Sequence, residues 1–355
     1  MRKGNHCFSG RRAIRPAMLV VVLAFGWVLA RGEDWNFVAR INQGLSEIVP
    51  DDAQVEKVSG NFGFLEGPVW VRKGGYLLFS DIPANVIYKY SPADGKTSVA
   101  IPYSGFSGAD PSNVGMQMNN GMAMVTLLGS NGVTLDPQGR VVYCTHGDHQ
   151  IVRIEADGKR TVLAKEFEGK RLNSPNDLAF KSDGALYFTD PPAGLREGDK
   201  DSKKELPYNG VYLLKDGKLQ LLLKAMAMPN GLAFTPDEKF LYVNDSAKKT
   251  IMRYPVQPDD TLGAGQLFID MNADKAPGVP DGMKVDQKGN VYCTGPGGFW
   301  IMSPSGQHLG TVLTTELPAN LAFGGADNKT LYLTARTGLY RIRLKIPGIA
   351  PPGAS

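Results

Sequence analysis

From residue 60 to residue 345 the chain alternates short apolar runs with clusters of Gly, Asp, Asn and Pro. Few stretches space their apolar residues at the 3.6 period of a helix. The runs instead carry Val, Leu, Tyr and Phe between turn formers, which predicts short β-strands throughout. The 42 Gly and 24 Pro of the 355 residues supply the turns that so many strands require.

The runs are not independent. EGPVWVRKGGYLLFSDIPANVIYKY starts at Glu66, NGVTLDPQGRVVYCTHGDHQIVRI at Asn131 and NDLAFKSDGALYFTDPP at Asn176. NGLAFTPDEKFLYVNDSAKKTIMRY starts at Asn230, DGMKVDQKGNVYCTGPGGFWIM at Asp281 and NLAFGGADNKTLYLTARTGLYRIRL at Asn320. Each reads as a polar residue, an apolar strand, an Asp/Gly turn, a second strand, a polar loop and a further strand. The starts lie 65, 45, 54, 51 and 39 residues apart. Multi-strand repeats of roughly 40 to 50 residues predict propeller blades, and six copies predict an all-β, six-bladed β-propeller. One small twisted sheet cannot bury both faces, whereas a closed ring of sheets can. The last copy shows only three strands. AQVEKVS, residues 53–59, has strand character and is expected to complete the sixth blade. The propeller then spans 53–346, after a 31–52 extension and before a 347–355 tail.

Residues 1–30 read differently. Arg2, Lys3, Arg11, Arg12 and Arg15 precede an apolar run from Ala17 to Ala30. A basic region, a short apolar run and small residues predict a signal peptide and export to the periplasm or medium. The run is short of the ~20 residues a spanning helix needs. Whole-chain charge is 39 Lys+Arg against 35 Asp+Glu, and five of the basic residues sit in this leader. The remainder carries 34 against 35, so neither a nucleic-acid face nor a membrane surface is implied. Cys144 and Cys293 close equivalent strands in blades on opposite sides of the ring. A disulfide needs Cα atoms within ~7 Å, so both are expected to be buried free thiols.

The residue opening each first strand would sit at one mouth of the central channel. Those residues are Glu66, Asn131, Asn176, Asn230, Asp281 and Asn320. Any single Asn in the set could be a local turn former. Glu66 is not a turn former, and burying it beside Asp281 without a cation is costly. Oxygen donors without thiolate or imidazole suit a hard divalent ion, most naturally Ca²⁺, with Mn²⁺, Fe²⁺ and Zn²⁺ as alternatives. The second strands return to the same mouth at Asp81, His146, Asp190 and Asp245, expected to form an outer titratable layer. His149 and His308 read as surface residues. Two insertions, 102–130 and the charged 193–209, interrupt the copies near a face. Either could serve as a lid, the second being more simply a solvated loop.

EGPVW, SPND, PNGLAF and PDGM stand in this order at blade-sized separations. In them the chain resembles the gluconolactonase/regucalcin family of six-bladed propellers, over about residues 55 to 345. KRLNSPNDLAFKSDGALYFTDPP and VPDGMKVDQKGNVYCTGPGG are especially similar to its bacterial gluconolactonase branch. The resemblance implies metal ligation by Glu66, Asn230 and Asp281, with Asn176 beside the metal as ligand or substrate holder. Some members carry an arginine two residues before that Asn. Here the position is Ser174, leaving Arg171 or the mouth-facing Arg336 as substitutes.

The expected reaction is metal-dependent hydrolysis of a sugar lactone, a small-molecule substrate, by a monomer or weak homo-oligomer. Asp281, Asp245 or His146 would take the proton of the attacking water, while Asn131, Asn176 and Asp190 would bind substrate. No Gly-x-Ser-x-Gly elbow appears, which disfavours an acyl-enzyme. An arylesterase or phosphotriesterase on the same scaffold, or a non-catalytic Ca²⁺-stabilised binding propeller, are the alternatives.

Overall fold

A computed structural model describes residues 36–353. The signal peptide expected at 1–30 lies outside the described residues. Six antiparallel sheets stand in sequence order, each built by simple up-and-down hairpins. The first blade comprises Leu65–Val71, Tyr76–Asp81, Val86–Ser91 and Lys96–Pro102. Its innermost strand is almost wholly buried and its outermost mostly exposed, the burial gradient of a sheet set edge-on to a central axis. The tight turns are closed by residues at positive φ, such as Gly75 and Asn85. Among the described residues there is no α-helix, only three short 3₁₀ turns.

The inner strands of the remaining blades are Ser130–Leu135, Leu178–Phe180, Pro229–Phe234, Met283–Val285 and Asn320–Gly324. The sixth blade supplies three strands from the chain's end, and its fourth is Val55–Ser59. Val55 pairs with Ile342 and Glu56 with Arg341, the latter pair also joined by an ion pair of 2.7 Å. The ring therefore closes by hydrogen bonds between residues almost 300 positions apart, as the N-terminal strand pattern predicts. The segment before it is more than an extension. Phe37–Arg40 adds a fifth strand to the edge of blade five, and Leu45, Ile48 and Val49 are buried against blades five and six.

Blades are held to one another by aromatic pairs that cross the gap between them. Tyr187 of blade three meets Phe234 of blade four, with ring centroids at 5.0 Å, and Tyr292 of blade five meets Phe323 of blade six at 5.1 Å. Tyr332 of blade six stacks on Trp70 of blade one at 5.6 Å, so the closure itself is packed this way. Such pairs add ~0.5–1.5 kcal/mol each beyond the area they bury. Cys144 and Cys293 are buried free thiols. Asn244 Nδ2 lies 3.5 Å from Cys293 Sγ.

The inner strands line a channel. At one mouth lie the polar residues that open them. The other end widens into an apolar cavity of about 210 Å³, lined by residues such as Pro68, Trp70, Leu178 and Phe323. Residues 349–352 of the tail lie across this end. The tail is pinned by Gly348 N–H to the Asn328 carbonyl and Ile349 N–H to the Val285 carbonyl.

A chain shortened to begin at residue 61 is expected to lose its single cooperative thermal transition, because blade six then lacks its outer strand and the ring its closure. Calorimetry checks this; an unchanged transition would contradict closure by Val55–Ser59.

Candidate active site

The mouth is built from the residue at or just before the start of each inner strand. Glu66, Asn131, Asn176, Asn230 and Asn320 are buried, and Asp281 is partly exposed. The next residue is Gly in four blades, and the reason is steric. A Cβ at Gly67 would lie 2.1 Å from the Asn131 carbonyl oxygen, and one at Gly231 2.1 Å from that of Asp281. Neighbouring inner strands touch backbone to backbone here, which draws the six openers together. Hydroxyls of the second strands then fix the opener backbones. Ser80 Oγ donates to the Asn131 carbonyl at 2.7 Å, and Thr334 Oγ1 to that of Asn320 at 3.1 Å. Asn244 Nδ2 holds the Asp281 carbonyl.

Glu66 Oε2 accepts from its neighbour's Gly67 N–H at 2.8 Å and from Asn320 Nδ2 at 2.9 Å. Burial nevertheless pushes its carboxyl up to about 7. Asp281 is raised well above the carboxylate range, first by burial, then by the Glu66 charge and that of Asp177. Asn230 donates to Asp281 and pulls the other way. A carboxylate that lifts its neighbour's proton affinity this way lies close to it in a poor solvent for charge. The amide oxygens beside them are also unsatisfied. Asn131 Oδ1 and Asn230 Oδ1 are buried with no hydrogen-bond partner. Repelling carboxylates and orphaned amide oxygens are the donor set of a hard divalent cation, so the residues present fit one. Glu66, Asn230 and Asp281 could hold it, with Asn131 and Asn176 beside them. Among the described residues no three His, Cys, Asp or Glu side chains form a metal cage on their own, so the amides are integral to the fit.

The second-strand residues behave differently from expectation. Asp81 accepts from Gly63 and Phe64 N–H, Asp190 from Asn173 and Ser174 N–H, and Asp245 from Ala227 and Met228 N–H. Asp245 also caps Ala247 and Lys248 N–H. These carboxylates clamp the segment that enters each inner strand. Their oxygens face backbone donors, so the structure gives them a holding task at the strand entries rather than contact with an opener. The signal was present as a repeated offset of 16 to 18 residues between clamp and clamped amides.

Of the four residues expected at the second-strand ends, His146 is the one that bonds an opener side chain. It is fully buried, and Asn131 Nδ2 donates to its Nε2 at 2.9 Å. Its Nδ1 faces Ser174 Oγ, which also accepts from Gly194 N–H at 2.7 Å. Burial, with a smaller effect from His149, lowers the imidazole to about 3, so it is neutral at pH 7. Its hydrogen bond to the Asn131 nitrogen turns the Asn131 oxygen away from the ring. Ser174 therefore anchors a chain of contacts that ends at an opener.

Other expectations are corrected. His149 is buried, with Nδ1 bonded to the Asn173 carbonyl, and His308 stacks on Trp300 at 3.7 Å. Residues 193–209 are not a solvated loop, since Leu195 and Leu206 are buried and Gly194 holds Ser174. They also pair with the first insertion through Gly115 N–H to the Gly194 carbonyl. That insertion carries the hairpin Gln117–Asn119 and Met124–Thr126. A Cβ at its tip, Gly121, would lie 2.8 Å from Arg336 Nη1. Arg336 thus sits under this rim, whereas Arg171 Nη2 is tied to the Lys203 carbonyl. Two charged residues escaped the sequence reading, Asp177 and Lys284, and both reach the channel.

Comparison with known proteins agrees with this architecture. The family model described as "SMP-30/Gluconolactonase/LRE-like region" matches residues 64–337. A gluconolactonase of Zymomonas mobilis is 34% identical over 320 residues, covering 88% of this chain and 87% of that protein. The structure of the gluconolactonase XC5397 from Xanthomonas campestris matches with a TM-score of 0.72 and 29% identity, over 89% of this chain and 99% of that one. A regucalcin from Agrobacterium tumefaciens, described as a calcium-binding protein, shares the fold with a TM-score of 0.66 at 18% identity, over 84% and 96% of the chains. The chain belongs to the SMP-30/gluconolactonase/LRE-like family and is a hydrolase of its lactonase kind.

Proposed function

We propose that the protein hydrolyses a sugar lactone, an aldonolactone such as gluconolactone, to the open-chain acid in a reaction that depends on a divalent cation. The observation that carries this reading is the pairing of Glu66 and Asp281 with the orphaned Asn131 and Asn230 oxygens at one mouth. Its support is the gluconolactonase name of the Zymomonas mobilis relative and the calcium-binding description of the Agrobacterium tumefaciens neighbour. When bound, the cation supplies a Lewis acid for the lactone carbonyl and the charge that lets both acids ionise. Ca²⁺ suits the oxygen donors best. The basic and apolar pattern of residues 1–30 supports a reaction outside the cytoplasm.

The chain's own residues have separate tasks. Asp281 is the partly exposed carboxylate of the mouth, so it takes the proton of the attacking water. Water oxygen bonds to the carbonyl carbon, the ring carbon–oxygen bond breaks, and the proton passes to the departing ring oxygen. Asn131 and Asn176 bond substrate hydroxyls or hold them in place. His146 acts through Asn131, fixing its amide, and does not itself exchange protons with water. Asp245 and Asp190 keep the inner strands in position and are given no part in proton transfer or substrate contact.

Glu66→Gln and Asp281→Asn are each expected to lower kcat/KM on gluconolactone by about 10²-fold or more, and to reduce bound divalent metal. PH-stat assays with metal analysis check both, and a fully active Asp281→Asn would remove it as ligand and base. His146→Ala should cost ~10–100-fold, as loss of an orienting partner does. The pH profile should gain no inflection near 6.5, because the imidazole is neutral throughout; an acid limb lost on substitution would contradict the orienting role.

The metal-free protein has its own pH dependence. The Glu66 carboxyl is higher in the folded chain, about 7, than its ordinary value of 4.5. The folded state then binds more protons than the unfolded one between these limits, so stability is greatest below about 4.5 and falls as pH rises to about 7. Chelated protein should show this falling melting temperature and Ca²⁺-loaded protein should not. Parallel curves would contradict the assignment.

A further inference from the structure

Two charged residues stand out in the channel-lining rows. After the opener, four blades carry Gly67, Gly132, Gly231 and Gly282, where the backbone of the next blade leaves no room for a side chain. Blade six carries Leu321 in that slot and blade three the charged Asp177. Its Oδ1 accepts from Leu178 N–H at 2.8 Å, but its Oδ2 is buried and has no hydrogen-bond partner. Three residues after the opener the blades carry Val69, Thr134, Ala179, Ala233, Lys284 and Phe323. Lys284 is the one charged residue of that row, and its ammonium lies 4.0 Å from Asp177 Oδ2. It donates to the Met283 carbonyl at 3.0 Å. The deviations lie on different blades, yet they meet inside the channel, next to the openers.

Charge gives the pair a meaning. With all three acids ionised, as a bound divalent ion would require, Glu66, Asp281 and Asp177 carry three negative charges and Lys284 one positive. The Asp177 charge is felt at both Glu66 and Asp281, and that of Lys284 at Glu66. The remaining two negative charges are those that one divalent cation cancels.

Building on the functional reading above, we infer that Lys284 is a resident counter-ion that holds Asp177 out of coordination and sets the channel's charge for one divalent ion. The ammonium competes with the bound ion, so ion affinity is held below what three acids would give. Asp177 acts in the opposite sense through Lys284. Neither residue touches the substrate; both are positioning residues for the ion.

Isothermal titration of the chelated full-length chain with Ca²⁺ tests this independently of turnover. Lys284→Met should bind Ca²⁺ at least ~10-fold more tightly and Asp177→Asn at least ~10-fold more weakly, as unscreened unit charges at channel distances require. The double variant Asp177→Asn/Lys284→Met restores the two-charge excess and should return to within about threefold of the parent. Should Lys284→Met fail to fold, the double variant must still bind at least ~10-fold more tightly than Asp177→Asn. Single variants indistinguishable from the parent, or a double variant no tighter than Asp177→Asn, overturn the inference. A parent chain that takes up no divalent ion overturns the functional reading itself, and this inference with it.

Discussion

Two carboxylates that cannot both be charged unless something positive lies between them govern this molecule's active end. Glu66 and Asp281 begin inner strands of blades one and five, are separated by over 200 residues, and meet at the channel mouth, where the Glu66 charge raises the proton affinity of Asp281. Asn320 donates to one and Asn230 to the other, and that is insufficient to return either to the ordinary range. The mouth therefore presents two acids that ionise together only beside a positive charge, with unpartnered amide oxygens next to them, which is the electrostatic precondition for a Lewis-acidic ion.

The propeller exists, in these terms, to hold that unfavourable arrangement together. Gly67, Gly132, Gly231 and Gly282 let adjacent inner strands approach to backbone contact, and cross-blade aromatic pairs stabilise the gaps behind them. Asp81, Asp190 and Asp245 fasten the entering segments from below the rim. Closure through Val55–Ser59 prevents the ring from opening to relieve the repulsion. Rigidity in this fold thus translates directly into retained charge at the mouth.

Much of this was legible because repetition makes positions comparable. The six openers, the missing outer strand of blade six and the separation of Cys144 from Cys293 all follow from counting within a repeat. What a repeat does not reveal is where a side chain turns. Asp190 and Asp245 read as active-site acids from their place at a strand end, yet each turns towards backbone amides 16 to 18 residues earlier. His149 reads as a surface residue, yet it is buried with its Nδ1 bonded to the Asn173 carbonyl. Asp177 and Lys284 were visible as departures from the consensus of their slots. Sequence alone places them in different blades, and only the ring's curvature brings Lys284 to 4.0 Å from Asp177.

The central claim is spatial, and anomalous diffraction from crystals soaked in Mn²⁺ tests it most directly. The account predicts a single strong peak at the channel mouth, with oxygens of Glu66, Asn230 and Asp281 within coordination distance, roughly 2.0–2.6 Å. No peak there, or one bound only by surface carboxylates, would contradict it.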